Sequence, residues 1–375
     1  MTLPPAILQI LPKLVTGGVE RGTLEIAEAQ IAAGFRALVA SSGGPLVPAL
    51  ERLGAQHIAL PLDSKVPWVM WRNAARLTDL VKAEGVRIIH ARSRAPAWSG
   101  LIAARRSGAR FVTTYHGSYN ENFWGKRLYN SVMARGDRVI AISRHIEALI
   151  LARHEVDPSL VRVIPRGVDP RAFDPHTVTP AQVAALRASW GVAEGRPIIM
   201  LPGRITRWKG QEVLVRAMAK LEGNAIALLV GDRDAKQAYA TALEAEIAAA
   251  GLGDRVRLVG HADDMATALM AADVVVHASI EAEAFGRTVI EAQAMARPVI
   301  AADLGGPRET VEEGATGWRV PAGDVDALAE ALAYVLALPA LARASIGRAA
   351  RAAVLARYST QAMQAATIAV YRELM

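Results

Sequence analysis

The 375-residue sequence predicts an α/β protein built from two doubly wound, parallel-sheet units. Three observations carry that prediction. Strand-sized apolar runs alternate with helix-sized amphipathic ones from end to end, the pattern of repeated βα units and parallel sheets. The chain is longer than one hydrophobic core ordinarily spans, so two units are expected. Glycines, bases and acids cluster directly after the strands, which is where open parallel sheets place their ligands.

Composition narrows the chemistry. Apolar residues make up 52% and charged residues 21%, the balance of an ordinary globular protein. There are no cysteines, which excludes disulfides, thiolate metal sites and cysteine nucleophiles and fits a reducing, cytoplasmic setting. The first residues lack the basic region and small-residue cleavage site of a signal peptide, and no run of about 18 uncharged apolar residues occurs. The net charge of +7 is unevenly spread: residues 1–170 hold 22 Lys and Arg against 13 Asp and Glu, a balance of +9, leaving −2 for the remainder. A basic first half beside a near-neutral second half implies that the first half meets something anionic.

In chain order, the first half reads as strands at 7–11, 37–41, 57–60, 88–91, 111–115, 138–142 and 161–164. Helices are expected at 20–33, 45–53, 71–84, 96–106 and 143–153, the last opened by Ser143 as N-cap. A proline-rich stretch, 165–180, reads as the linker, followed by a polar helix. The second half repeats the alternation, with strands at 198–201, 227–230, 256–259, 274–277, 299–301 and 317–320, and the chain ends in a helix at 360–374. No internal repeat or low-complexity tract interrupts the pattern.

Four clusters after strands bear chemistry. Gly17-Gly18 opens the first helix, and paired glycines let backbone approach a phosphate at a helix N-terminus. A plain tight turn reads the same way, and no Gly-x-Gly-x-x-Gly cofactor fingerprint is present. His116, between Tyr115 and Gly117, is placed to donate to a sugar hydroxyl or a reacting centre, although a lone histidine is more often structural. Arg204 and Lys209 lie five residues apart in a loop, a planar fork and a mobile point charge able to straddle a diphosphate, or else a solvated basic loop. Glu283 falls in the loop after the strand at 274–277, with Glu291 expected about two turns into the next helix. A loop acid and a helix acid of this kind can face one ligand lying along a positive helix terminus.

The stretch Glu283-Ala284-Phe285-Gly286, with Glu291 and then Ala296-Arg297-Pro298-Val299-Ile300-Ala301, resembles the Glu-x7-Glu motif of retaining, GT-B-type glycosyltransferases of family 4, the glycosyltransferase group 1 class. The resemblance extends over nearly the whole chain. It implies the GT-B fold, with two Rossmann-like domains facing across a cleft. Residues 1–170 would bind the acceptor, joined by a returning C-terminal helix at 358–375, and residues 180–357 would bind the nucleotide sugar. It also implies site roles. Arg204 and Lys209 would hold the donor diphosphate, Glu291 the ribose, and Glu283 the transferred sugar, with Phe285, Gly286 and Arg287 completing the donor site. His261, after Val259-Gly260, belongs to the segment that contacts the base. Gly17 and Gly18 would border the diphosphate, and Gly305-Gly306 the sugar. His116 sits at the strand end where the family has a functional histidine. Arg166-Gly167-Val168-Asp169 stands where the family has Asn-Gly-Val-Asp, and because arginine departs from that pattern, Arg166 is left out of the site.

The reaction so implied moves a hexose-type sugar from a UDP or GDP sugar with retention of configuration. Protein cations meet the leaving diphosphate, so no cofactor and no metal is expected. The acceptor domain carries Arg92, Arg94, Arg105, Arg106 and Arg110 near Trp68, Trp71, Trp98 and Trp124. Arg92, Arg94 and Trp98 are candidate acceptor contacts. Bases beside tryptophans suit an anionic glycolipid such as a lipopolysaccharide core, with peripheral contact at the inner face of a cytoplasmic membrane. Core tryptophans under a solvated basic surface, serving a soluble acceptor, fit the same residues. A sugar-nucleotide epimerase of like architecture would also bind UDP, but its acid/base set finds no place here. Nucleic-acid binding is disfavoured because the bases form no compact stripe and no recognition module appears. Sugar, linkage and oligomeric state are not legible.

Overall fold

In the computed structural model, residues 4–15, 17–121, 123–232 and 237–375 are described. The chain divides into two compact units, Met1–Arg166 with Thr360–Met375, and Gly167–Ser359. The division falls at the start of the proline-rich stretch, so the polar helix Pro180–Ser189 belongs wholly to the second unit. A capping box between Thr179 and Gln182 starts that helix.

The first unit contains seven parallel strands: β1 (Ala6–Ile10), β2 (Arg36–Ser41), β3 (Gln56–Ala59), β4 (Val86–Ala91), β5 (Arg110–Tyr115), β6 (Arg138–Ala141) and β7 (Val161–Val163). Their order across the sheet is β3-β2-β1-β4-β5-β6-β7. β1 is central and wholly buried, apolar but for Gln9, as a strand in the middle of a parallel sheet requires. The order reverses between β1 and β4, the switch point at which such sheets open a ligand crevice. Ser143 caps the helix Arg144–Arg153, its hydroxyl accepting from the Ile146 amide at 3.0 Å.

The C-terminal helix Thr360–Glu373 packs into this unit: Met363, Ile368, Val370 and Tyr371 share a core with Ile7, Ile26, Ile88 and Val112. A buried polar chain fixes its depth. His90 Nδ1 lies 2.7 Å from the Tyr371 hydroxyl and His90 Nε2 2.7 Å from Thr114 Oγ1. Burial, then Arg92 and Arg166, holds the His90 imidazole well below its ordinary pKa.

The second unit contains β8 (Ile198–Pro202), β9 (Ile226–Val230), β10 (Val256–Gly260), β11 (Val274–His277), β12 (Val299–Ala302) and β13 (Trp318–Val320), all parallel in the order β10-β9-β8-β11-β12-β13. The reversal here lies between β8 and β11, and Ile199 and Leu201 of β8 share a core with Val274 and Val276 of β11. Among the described residues no single helix is long and apolar enough to cross a membrane.

Candidate donor site and strand-end cluster of the first unit

In the second unit the site grows from the ends of β8 and β11. The turn after β8 ends in Gly210, at φ 71°, where an added Cβ would stand 1.9 Å from the Ala278 carbonyl oxygen. Only glycine lets the two loops approach so closely. The Ile280 amide donates to the Trp208 carbonyl at 2.9 Å, and Gln211, fully buried, donates to the Arg204 carbonyl at 2.9 Å. These contacts bring Lys209 against Glu283, residues far apart in the chain.

Three donors converge on a single oxygen, Glu283 Oε1: Lys209 Nζ at 2.5 Å, Ser279 Oγ at 2.6 Å and His277 Nε2 at 2.7 Å. Burial alone would push the Glu283 carboxyl up, but His277 and Lys209, by charge and by hydrogen bond, hold it well below the ordinary carboxylate range. Glu283 is therefore an acceptor at any physiological pH. Its backbone is equally fixed. The Gly306 amide donates to the Glu283 carbonyl at 2.8 Å, and a Cβ on Gly305 would stand 2.5 Å from that same oxygen. The Gly305-Gly306 turn is thus the buttress of the acid loop. Phe285 is its anchor, buried with its ring edge-on to Tyr358 at 5.6 Å, so the ring faces the core.

Gly286, at φ 82°, delays the helix, which runs Arg287–Ala294. Glu291 consequently lies one turn into it, not the two expected, and sits 3.3 Å from Arg287 Nη2. Arg204 is exposed and forms no ion pair among the described residues. Its guanidinium and the Lys209 ammonium approach the same indole, Trp208, at 6.0 and 4.6 Å, so two cations gather at one loop. Arg207 turns away to Glu212 at 3.4 Å, and His261 is exposed at the end of β10. His277 and Ser279 were missed by sequence reasoning. The signal available was position alone, a polar residue ending an otherwise apolar strand.

In the first unit, Gly17 precedes the helix Gly18–Ala32, and His116 follows β5. The Arg166 guanidinium reaches His116 Nδ1 at 2.9 Å, so the arginine set aside on sequence grounds touches the candidate histidine. Burial first, then Arg166, Arg92 and His90, holds the His116 imidazole well below its ordinary pKa. The ring is neutral, Nδ1 accepts, and the proton is on Nε2. Arg92 corrects an expectation: it is 3% exposed, not part of a basic surface, because it directly follows the central strand β4 and reaches inward to Gln9. Arg94 and Trp98 are engaged with the chain, Arg94 over the Tyr119 ring at 4.3 Å and donating to Asn130, Trp98 Nε1 donating to the Tyr129 carbonyl at 3.1 Å.

Two doubly wound parallel-sheet units, each with a strand-end cluster at its switch point, define the GT-B class of glycosyltransferase folds. Residues 16–172 match the model of Glycosyltransferase Family 4, and residues 182–353 that of Glycosyl transferases group 1. The lipopolysaccharide core biosynthesis mannosyltransferase LpcC of Rhizobium leguminosarum bv. viciae is 30% identical over 338 residues, covering 88% of this chain and 91% of that protein. A D-inositol 3-phosphate glycosyltransferase of Mycolicibacterium paratuberculosis is 34% identical over 243 residues, 64% of this chain, but the match spans only about half of that relative, 54%. Among solved structures, a glycosyltransferase from Rickettsia africae ESF-5 superposes with a TM-score of 0.92 at 37% identity over 99% of this chain and 98% of that one. Anabaena HepE in complex with UDP and glucose superposes with a TM-score of 0.85 at 25% identity over 99% and 100%. The chain belongs to the group 1, family 4 glycosyltransferases.

Proposed function

We propose that the protein transfers a hexose-type sugar from a UDP or GDP sugar to an anionic glycolipid of the lipopolysaccharide-core type, with retention of configuration and without a metal. The observation that carries this is the buried Lys209–Glu283–His277–Ser279 cluster beside the start of the helix Arg287–Ala294. A carboxylate held ionised is built to accept hydrogen bonds from sugar hydroxyls. Lysine has three donors and Glu283 occupies one of them, so the ammonium remains able to meet a phosphate oxygen together with Arg204. As the glycosidic bond breaks, the diphosphate gains charge, and these preorganised cations stabilise it. The UDP complex of HepE supports the donor class, and the similarity to LpcC supports the acceptor class.

Peripheral membrane contact is the second part of the reading. Trp68, Trp71 and Trp124 are 60%, 58% and 81% exposed, too open for core tryptophans. Arg72 lies over Trp68, Arg106 over Trp71, and Lys126 over the exposed ring of Phe123. Aromatic rings flanked by bases, on the half of the chain carrying +9, match an anionic membrane surface. This reading places the protein at the cytoplasmic face of the membrane.

The test is nucleoside-diphosphate release from a panel of UDP and GDP sugars, with and without a lipid-linked lipopolysaccharide core acceptor. Acceptor-dependent release of UDP or GDP is expected. Release indifferent to every acceptor, or sugar isomerisation without release, would overturn the assignment.

A further inference from the structure

Trp208 lies in the donor loop between Arg204 and Lys209, and among the described residues its indole is the one side chain that both cations approach, at 6.0 and 4.6 Å from the ring centroid. The backbone around it is pinned at three points. Gln211 donates to the Arg204 carbonyl at 2.9 Å, the Lys209 amide to the Thr206 carbonyl at 2.9 Å, and the Ile280 amide to the Trp208 carbonyl at 2.9 Å. A chain held at these points fixes where the ring stands, half-buried in the turn that leads to Gly210.

The two bases are compensated unequally. Lys209 is 9% exposed and donates to Glu283. Arg204 is exposed and forms no ion pair among the described residues, so no acid holds its guanidinium in place. A long side chain left without a partner must give up its rotamer freedom when a ligand arrives, and that cost weakens binding.

A carboxylate at this position would hold both cations, but it would also occupy the N–H groups that phosphate oxygens need. The negative face of an indole attracts the same charges and leaves the guanidinium fork and the remaining ammonium donors available. We propose that Trp208 is a positioning residue for the donor diphosphate: its ring gathers Arg204 and Lys209 before the ligand arrives and presents their donors to the phosphate oxygens. The identity of the ligand, a nucleoside diphosphate, rests on the proposed function; the gathering of two cations on one ring does not.

The test is calorimetry of UDP, or of GDP if that is the nucleotide the wild type binds, with the full chain carrying Trp208→Leu or Trp208→Phe, each made also in an Arg204→Ala background. Trp208→Leu is expected to weaken binding by about twofold to thirtyfold, the range for cation–π contacts, and Trp208→Phe, which keeps a ring with a weaker face, to fall between it and the wild type. In the Arg204→Ala background the Leu substitution is expected to cost a smaller factor, because one of the cations the ring gathers is gone. A ring that only packs the loop, or that stacks on the base, would give the same factor in both backgrounds. Melting of the ligand-free proteins checks the fold, and Trp208→Phe carries the comparison should Trp208→Leu fail to fold. Unchanged affinity in the folded Trp208 variants, or an equal loss in both backgrounds, overturns the inference and leaves the proposed function standing. A wild type that binds neither UDP nor GDP overturns the proposed function and takes this inference with it.

Discussion

At the scale of single residues, the donor cluster separates roles that look alike in the sequence. Glu291→Ala should weaken bare UDP binding, because ribose is present in it. Glu283→Ala should leave bare-nucleotide affinity intact, or raise it by releasing Lys209, and should abolish most turnover. Calorimetry with UDP and a turnover assay check both, and equal loss of UDP affinity in the two variants would show the division to be wrong. Arg204→Ala should cost about 1.5–3 kcal/mol of nucleotide affinity, the range for a hydrogen bond to a charged group. Its guanidinium has no ion pair among the described residues, so a phosphate is its natural partner. His277 acts through Glu283, holding that carboxylate with Lys209 and Ser279.

At the scale of elements, the C-terminal helix is held at its buried face by a polar contact set within an apolar interface, and nearer the surface by Glu373 with Arg138 and Arg162 and by Gln364 donating to the Glu25 carbonyl. Tyr371→Phe removes the hydroxyl and leaves His90 Nδ1 buried without its partner, with Gln30 Nε2, 3.4 Å away, losing its acceptor as well. A destabilisation of about 1–3 kcal/mol is expected, the cost of an orphaned buried group. Chemical denaturation of wild type and variant measures it, and an unchanged midpoint would mean the network is not holding the helix. The strand-end loops of the second unit obey the same logic through their backbones. Gly210 and Gly305 are placed where any side chain would strike a carbonyl, so the acid loop and the basic loop can meet.

At the scale of the whole molecule, pH and membrane contact make two further expectations. His90 and His116 are buried neutral, with folded pKa values depressed below those of the unfolded chain. The unfolded state then binds more protons once the pH falls below about 6.5, so stability declines with acidification there, by up to about 1.4 kcal/mol per pH unit for each histidine. The carboxylate Glu283, also depressed, contributes stability that is lost only below the ordinary carboxylate range, so the two effects separate. Melting curves from pH 7.5 to 5.5 should fall, and His90→Gln should flatten them; a slope unchanged by that substitution would point to other groups. For the membrane, co-sedimentation with anionic vesicles should be strong at low salt, weak at high salt and reduced by Trp124→Ala. Equal partitioning onto neutral vesicles, or none onto either, would favour a soluble acceptor.

The alternation of apolar strands with amphipathic helices sufficed to place the thirteen strands of the described residues and to imply two parallel sheets, because burial on both faces forces a local, periodic signature. The Glu283–Gly286 stretch with Glu291 likewise marked the candidate donor site, since loop acids, a glycine and a helix start lie close in sequence. What local pattern cannot encode is which distant loops touch. That His277, Ser279 and Lys209 share one oxygen of Glu283 follows from β8 lying beside β11. That Arg92 is buried against Arg166 over Gly22, when sequence alone placed it among surface bases, follows from β1 and β4 being neighbours in the sheet. Hydrophobic periodicity reports burial of a face; the partners of a buried charge are set by strand order, and strand order is a property of the assembled sheet.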